Sequence, residues 1–370
     1  MSKTQSHRLC IAPMMDWTDR HCRAFHRLLT RRARLYTEML TTGAILHGDR
    51  TRLLAFDAAE HPVALQLGGA DPTELALCAR IGAELGYDEI NLNVGCPSDR
   101  VQSGRFGACL MREPALVAEG MAAIIAAVRV PATIKCRLGV DEQDPEESLF
   151  ALVDACAAAG VRTFIVHARK AWLKGLSPKE NRDVPPLDYG LVRRLKRERP
   201  RLTVVLNGGL PSIEAAIAEL ESVDGVMLGR AAYQRPDLLC AADRRLFDEA
   251  VEDTDPIVAV RLYLEHVRRE WSAGTPLPPL MRPLLGLFHG LAGARAWRRR
   301  LTVESVRPGA GPEVIEAALA ALVAGREQAE LFPCDRGAPA GQGGDNVRPL
   351  GVGEACPPRH FVQGAVAAQA

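Results

Sequence analysis

A chain of 370 residues with 47% hydrophobic content can bury one sizeable domain and a smaller one. Its net charge of +1 points to no partner by itself, and its ten cysteines contain no CxxC pair, which argues against a zinc framework or a disulfide scaffold. The segment MSKTQSHRLC has no apolar signal core and no run of about 18 apolar residues follows, so a cytoplasmic protein with reduced thiols, no membrane contact and no metal is expected.

In chain order, short β-rich runs are expected at Leu9 to Met14, Leu35 to Thr41, Pro62 to Leu67, Ile90 to Val94, Ala132 to Arg137, Thr163 to His167, Thr203 to Leu206 and Gly225 to Leu228. Amphipathic, alanine-rich stretches lie between them, at Asp71 to Leu85, Pro114 to Val128, Glu146 to Ala159, Tyr189 to Arg199 and Ser212 to Leu220. Alternation of strand and helix argues for parallel βαβ units, and eight of them predict an α/β fold, a (β/α)8 TIM barrel, over residues 1–248. An open doubly wound sheet is less favoured, because no GxGxxG turn follows the first strand.

Beyond residue 248 the strand signal stops. Helical patterns at Ile257 to Trp271, Pro283 to Leu291, Ala294 to Leu301 and Glu313 to Ala324 predict a small all-helical domain over 249–330. Residues 261 to 300 hold eight arginines against Glu265 and Glu270, a surface suited either to a polyanion or to plain solvation. The glycine- and proline-rich segment 331–370 is expected to be disordered.

Polar residues gather at the predicted strand ends, where barrel enzymes keep their chemistry. Cys96 lies between Gly95 and Pro97 at the end of the fourth strand, with Asn93 three positions before it. Free thiols ionise near pH 8.5 and are mostly protonated at neutral pH, so such a group can give a proton as well as attack. A lone cysteine in a turn is more often structural; the flanking Asn93, Gly95 and Pro97 favour function here. Asn207, Gly208 and Gly209, with Gly229 and Arg230, end the last two strands, where such barrels hold phosphate. Lys135 and His167 end strands five and six and could meet a cofactor, Gln66 offers both amide functions to a ring edge, and Ala12, Pro13 and Met14 offer a flat apolar contact.

The segment INLNVGCPSDRVQSGRFGA, from Ile90 to Ala108, resembles the tRNA-dihydrouridine synthase family, whose signature is an apolar strand followed by N-x-G-C-P and then G-A. HARKAWLKGLSPKENRDVPPLDY, from His167 to Tyr189, is similar to the A-type branch, and with APMMDWTDRHCR, from Ala12 to Arg23, the resemblance covers about residues 8 to 325. It implies an FMN-dependent enzyme that uses NADPH to reduce uridine in the tRNA D-loop to 5,6-dihydrouridine, at about position 20, where bases can be splayed out. It further implies hydride transfer from N5 of reduced FMN to C6 and a proton from Cys96 to C5.

The resemblance assigns FMN to Ala12, Pro13, Met14, Gln66, Lys135, His167, Asn207, Gly208, Gly209, Gly229 and Arg230. It assigns RNA contacts to Asn93, Lys179, Arg182, Arg295 and Arg298, and a monomer is expected. Trp172 and Trp297 could stack on bases or anchor small cores. The rival readings are a flavin barrel acting on a free pyrimidine or enone, which would have no use for a basic helical domain, and an RNA-binding barrel without chemistry, which would lack Cys96 or Lys135.

Overall fold

Eight parallel strands close on one another in chain order to form a barrel: β1 Leu9–Ile11, β2 Arg34–Thr41, β3 Val63–Gly68, β4 Glu89–Val94, β5 Ala132–Cys136, β6 Thr163–His167, β7 Thr203–Asn207 and β8 Gly225–Leu228. This computed structural model describes residues 6–247 and 249–331. The predicted TIM barrel is thus the observed fold. Because side chains alternate across a strand, the sequence of each strand splits into two sets. One set, with Leu35, Leu65, Ile90, Ile134, Phe164 and Val204, packs under the surrounding helices. The other fills the barrel with Cys10, Ala12, Tyr36, Ala64, Ile165, Val205 and Met227.

Local signals set the helix starts. Asp71, Asp144 and Asp255 each accept a hydrogen bond from a first-turn N–H, and the proline that follows each of them begins the helix: Pro72–Glu84, Pro145–Ala158 and Pro256–Ser272. The expected first strand stops early. Ala12 still donates to the Leu228 carbonyl at 2.8 Å, but Pro13 has no N–H to continue the ladder, and the Met14 N–H turns back to Thr18 Oγ1 at 2.8 Å.

Among the described residues no strand follows β8. The helices Pro256–Ser272, Ala294–Val303 and Glu313–Leu331 follow the expected pattern. This region packs on the barrel through the helix Arg20–Leu29, where Phe25 meets Tyr263 edge-on, His21 Nδ1 lies 3.0 Å from His266 Nε2, and Arg20 pairs with Glu270. The helix expected over Pro283 to Leu291 does not form; a short 3-10 turn, Arg282–Leu284, runs into irregular turns instead. Burial of Leu284, Leu287 and Phe288 draws this stretch inward, and Gly286 passes so close to the barrel that a Cβ there would stand 2.0 Å from the Gln234 carbonyl oxygen. Gly286→Ala should therefore destabilise the protein by about 1–3 kcal/mol in chemical denaturation, while a cost under about 0.5 kcal/mol would show that the backbone has room.

Residues 332–370, most of the segment expected to be disordered, lie outside the described residues.

Candidate active site

A cleft of about 740 Å³ opens at the carboxyl ends of the strands. The structure brings together there Ala12, Pro13 and Met14 after β1, Gln66 within β3, and Asn93 and Cys96 at and after β4. Lys135, His167, Asn207 with Gly208 and Gly209, and Gly229 with Arg230 complete the ring from β5 to β8, and Arg182 reaches in from the loop after β6.

The turn that carries Cys96 is held from both sides. Asn93 Oδ1 accepts from the backbone N–H groups of Gly95 at 3.1 Å and Cys96 at 2.9 Å, and the Cys96 carbonyl accepts from Ala108 at 2.9 Å. Gly107 makes that last contact possible: its φ is +71°, and a Cβ would stand 2.7 Å from the Cys96 oxygen. The thiol itself is half-buried, 3.5 Å from Ser98 Oγ.

Beside the thiol stands a cationic wall. Arg137 follows Lys135 at the strand period of two and shares its face. Burial, then the Arg137 charge, brings the Lys135 ammonium down to about 8. Burial brings Arg137 itself to about 10. Lys135, Arg137 and Arg182 all lie close enough to Cys96 to feel its charge. Burial, followed by Arg137, Lys135, Arg169 and Arg182, pushes the His167 imidazole well below its usual range, so it is neutral at pH 7, and its Nδ1 is sealed from solvent without a partner.

After β7 the chain turns through Gly208 at φ +108° and Gly209 at φ +69°, a conformation that favours glycine. Asn207 Nδ2 donates to the Met227 carbonyl at 2.7 Å, which aligns the turns after β7 and β8. The Arg230 guanidinium reaches across to Asp183 Oδ1 at 2.7 Å, tying the second turn to the loop after β6. Gln66 differs from its expected state, since both of its amide functions are engaged: Nε2 donates to Asn91 at 2.7 Å and Oε1 accepts from Asn93 at 2.9 Å.

The loop from Lys170 to Asp183 is ordered around one buried amide. Asn181 accepts from the Trp172 N–H at 2.7 Å and donates to the carbonyls of Trp172, Leu176 and Ser177 at 2.8, 3.1 and 3.3 Å. Arg137 clasps the loop to the thiol turn, donating to the carbonyls of Asn181 at 2.8 Å, Lys170 at 3.3 Å and Gly95 at 3.2 Å.

Not every expected residue joins the cleft. Lys179 is exposed on the loop, and Arg295 and Arg298 are exposed on the helix Ala294–Val303. Trp297 is buried, donates its indole N–H to the Leu284 carbonyl at 2.9 Å and packs edge-on against Phe288, so it anchors the helical region and cannot stack on a base. Sequence reasoning missed Arg137 and Asn181. The period-two spacing after Lys135 was a usable signal for Arg137; Asn181, within KENRD, carries none. Among the described residues no group of three or more His, Cys, Asp or Glu side chains could hold a metal ion, and no helix is long and apolar enough to cross a membrane.

The family described as dihydrouridine synthase (Dus) matches residues 10–322. A tRNA-dihydrouridine(20/20a) synthase from Xanthomonas axonopodis pv. citri is 58% identical over 315 residues, spanning 85% of this chain and 93% of the relative. Proteins of the same description from Vibrio cholerae and Escherichia coli are 53% identical over 320 residues and 54% identical over 321. Each match spans 86% of this chain, and 98% and 93% of the respective relative.

Proposed function

The chain belongs to the dihydrouridine synthase family and is an oxidoreductase of that kind; on that premise we propose that it reduces the C5=C6 bond of uridine at positions 20 and 20a of tRNA, with FMN resident and NADPH as reductant. We place it in the cytoplasm, acting as a monomer. The observation that carries this reading is the meeting of one thiol, Cys96, with Lys135, Arg137 and the unpartnered His167 Nδ1 in a single cleft.

Two features fit a flavin nucleotide. The His167 Nδ1 awaits a polar partner, and Lys135 has no carboxylate partner among the described residues. Gly208, Gly209, Gly229 and Arg230 would hold the phosphate, Lys135, His167, Asn207 and the remaining N–H of Gln66 the polar edge of the ring, and Ala12, Pro13 and Met14 one flat face. When bound, FMN would supply the hydride for C6, and NADPH would renew it.

Cys96 supplies the other half of the reduction. As a general acid its S–H bond breaks while the C5–H bond forms, and the thiolate left behind faces Lys135, Arg137 and Arg182. Those cations stabilise the anion left by the transfer, and a proton from water then restores the S–H bond for the next turnover. The target uridine must leave its stack to reach this depth. Arg182 and Lys179 on the loop, with Arg295 and Arg298 on the helical region, would hold the RNA backbone while it does so.

Three expected results test the reading. The purified protein should show flavin absorption in the visible that NADPH bleaches without oxygen; a colourless protein that binds no added FMN would contradict it. FMN affinity of the apoprotein should fall as pH rises past about 8, because Lys135 is cationic below that value and neutral above it. Fluorescence titration would measure this, and the same fall in Lys135→Met would remove the assignment. Replacing Arg295 and Arg298 together with alanine should weaken tRNA binding and flatten the log-log salt slope by roughly 1.5, with flavin binding unchanged. An unchanged salt slope would return both arginines to surface solvation.

A further inference from the structure

The inward-facing polar side chains of β3, β4 and β5 form one hydrogen-bonded file from the barrel floor to the cleft. Glu89, Asn91 and Asn93 alternate along β4, with Gln66 of β3 and Thr133 of β5 level with Asn91. Asn93 Nδ2 donates to Gln66 Oε1 at 2.9 Å, and Gln66 Nε2 to Asn91 Oδ1 at 2.7 Å. Asn91 Nδ2 then donates to Thr133 Oγ1 at 2.8 Å, and the Thr133 hydroxyl to Glu89 Oε1 at 2.6 Å. All five side chains are buried.

An amide turned over fills the same space, and a hydroxyl either donates or accepts, so the three amides and Thr133 carry no direction of their own. The ends of the file do. At the floor Glu89 only accepts: burial alone would raise its carboxyl, but His7 at 2.6 Å and Arg34 at 3.5 Å outweigh that and hold it at about 2. The Tyr36 hydroxyl donates to the same carboxylate at 2.7 Å. At the mouth, the N–H groups of Gly95 and Cys96 only donate, and both take Asn93 Oδ1. A file between donors at one end and an acceptor at the other has a single allowed direction. Each amide points its oxygen toward the mouth and spends one N–H on the neighbour below. Asn93 lines the cleft, and what its amide has left to offer there is the second N–H.

We propose that Glu89, at the barrel floor, is a positioning residue for base selection: through Thr133, Asn91 and Gln66 it helps hold the Asn93 amide with an N–H facing the cleft, so the site takes a pyrimidine carbonyl and refuses an amino group. The base-selection part rests on the function proposed above. Uracil offers a carbonyl at C4, which accepts from Asn93; cytosine offers an amino group there, which would meet a donor with a donor.

The file predicts coupling between two residues that do not touch. Asn93→Asp places an acceptor-only group at the mouth, and Lys135 beside it in the ladder keeps the new carboxyl ionised. The file then has acceptors at both ends and lacks one hydrogen. Glu89→Gln restores a donor at the floor and lets the file run in reverse.

The experiment is a double-mutant cycle on the full chain, read by thermal melting. Glu89→Gln should lower Tm by several degrees in the native background and by clearly less in Asn93→Asp; additive Tm changes would overturn the file as a directional device. This readout needs no RNA, so it stands even if the proposed function fails. Binding of tRNA transcripts with uridine or cytidine at the target position gives the second readout. The native protein should prefer uridine, and the double variant should lose or reverse that preference; an unchanged preference would overturn the base-selection role, since a merely structural defect weakens both RNAs alike. Should Glu89→Gln fail to fold, Thr133→Val cuts the file while keeping the Glu89, His7 and Arg34 cluster. It should lower the uridine preference about tenfold where Thr133→Ser retains it, and equal preferences in the two would again overturn the role.

Discussion

Cys96→Ala should bind FMN and oxidise NADPH as the native protein does while forming dihydrouridine roughly 10²- to 10⁴-fold more slowly, the usual contribution of a positioned general acid. The selectivity of the loss follows from the geometry. Cys96 is held by its backbone, through Asn93, Gly95 and Ala108, so removing Sγ leaves the turn in place. Among the described residues none of the groups proposed to hold the flavin takes a hydrogen bond from the thiol, whose polar partner there is Ser98 Oγ at 3.5 Å. Single-turnover reduction of tRNA, set beside NADPH oxidation by an artificial acceptor, separates the two half-reactions. Equal slowing of both would mean that the thiol serves the flavin, and full retention of product would remove its role.

Asn181→Ala should raise the KM for tRNA by about 10- to 100-fold with little change in FMN binding. The substitution leaves the carbonyls of Trp172 and Leu176 and the N–H of Trp172 without their side-chain partner, while the Ser177 carbonyl keeps the backbone N–H of residue 181 at 2.9 Å. Each such part-buried group costs up to about 1–3 kcal/mol when it stays unpaired, so the loop should open to water instead of holding its native path. Arg182, and with it the contact between Asp183 and Arg230, would then lose a fixed position at the cleft. Hydrogen exchange should show faster exchange confined to about residues 170–183, and Asn181→Asp, which can still accept from Trp172, should recover only part of the effect. Unchanged exchange and KM would show that the loop is secured without the Asn181 side chain, by contacts such as those of Arg137 with the residue-181 carbonyl and of Gln102 with the Leu173 carbonyl.

What the sequence disclosed and what it hid divide along a physical line. The barrel was legible because eight apolar runs alternate with amphipathic ones, a pattern that each segment carries locally. The Cys96 turn and the Gly208–Gly209 turn were legible because glycine and proline mark backbone shapes other residues avoid. The helix Arg20–Leu29 escaped notice because its buried face includes His21, Arg23, His26 and Arg27, whose partners lie elsewhere: Arg23 donates to Glu60 at 2.6 Å and Arg27 to the Ala33 carbonyl at 2.7 Å.

The same cause hid Glu89 and Asn181, which read as solvated polar residues until the fold brings Thr133 to the first and winds the backbone around the second. The helix expected at Pro283 to Leu291 failed for the converse reason: its apolar spacing was real, but close contact of Gly286 with the barrel overrode it. Polar groups that work in a core are defined by partners distant in sequence, and no single stretch displays them.

The central claim, that this cleft reduces uridines 20 and 20a of tRNA, is tested most directly by mapping modified nucleosides in unmodified tRNA incubated with the purified protein and NADPH. The account predicts dihydrouridine at those two positions, lost when Cys96 is replaced by alanine. A yellow protein that oxidises NADPH yet leaves every uridine of the D-loop intact would contradict it.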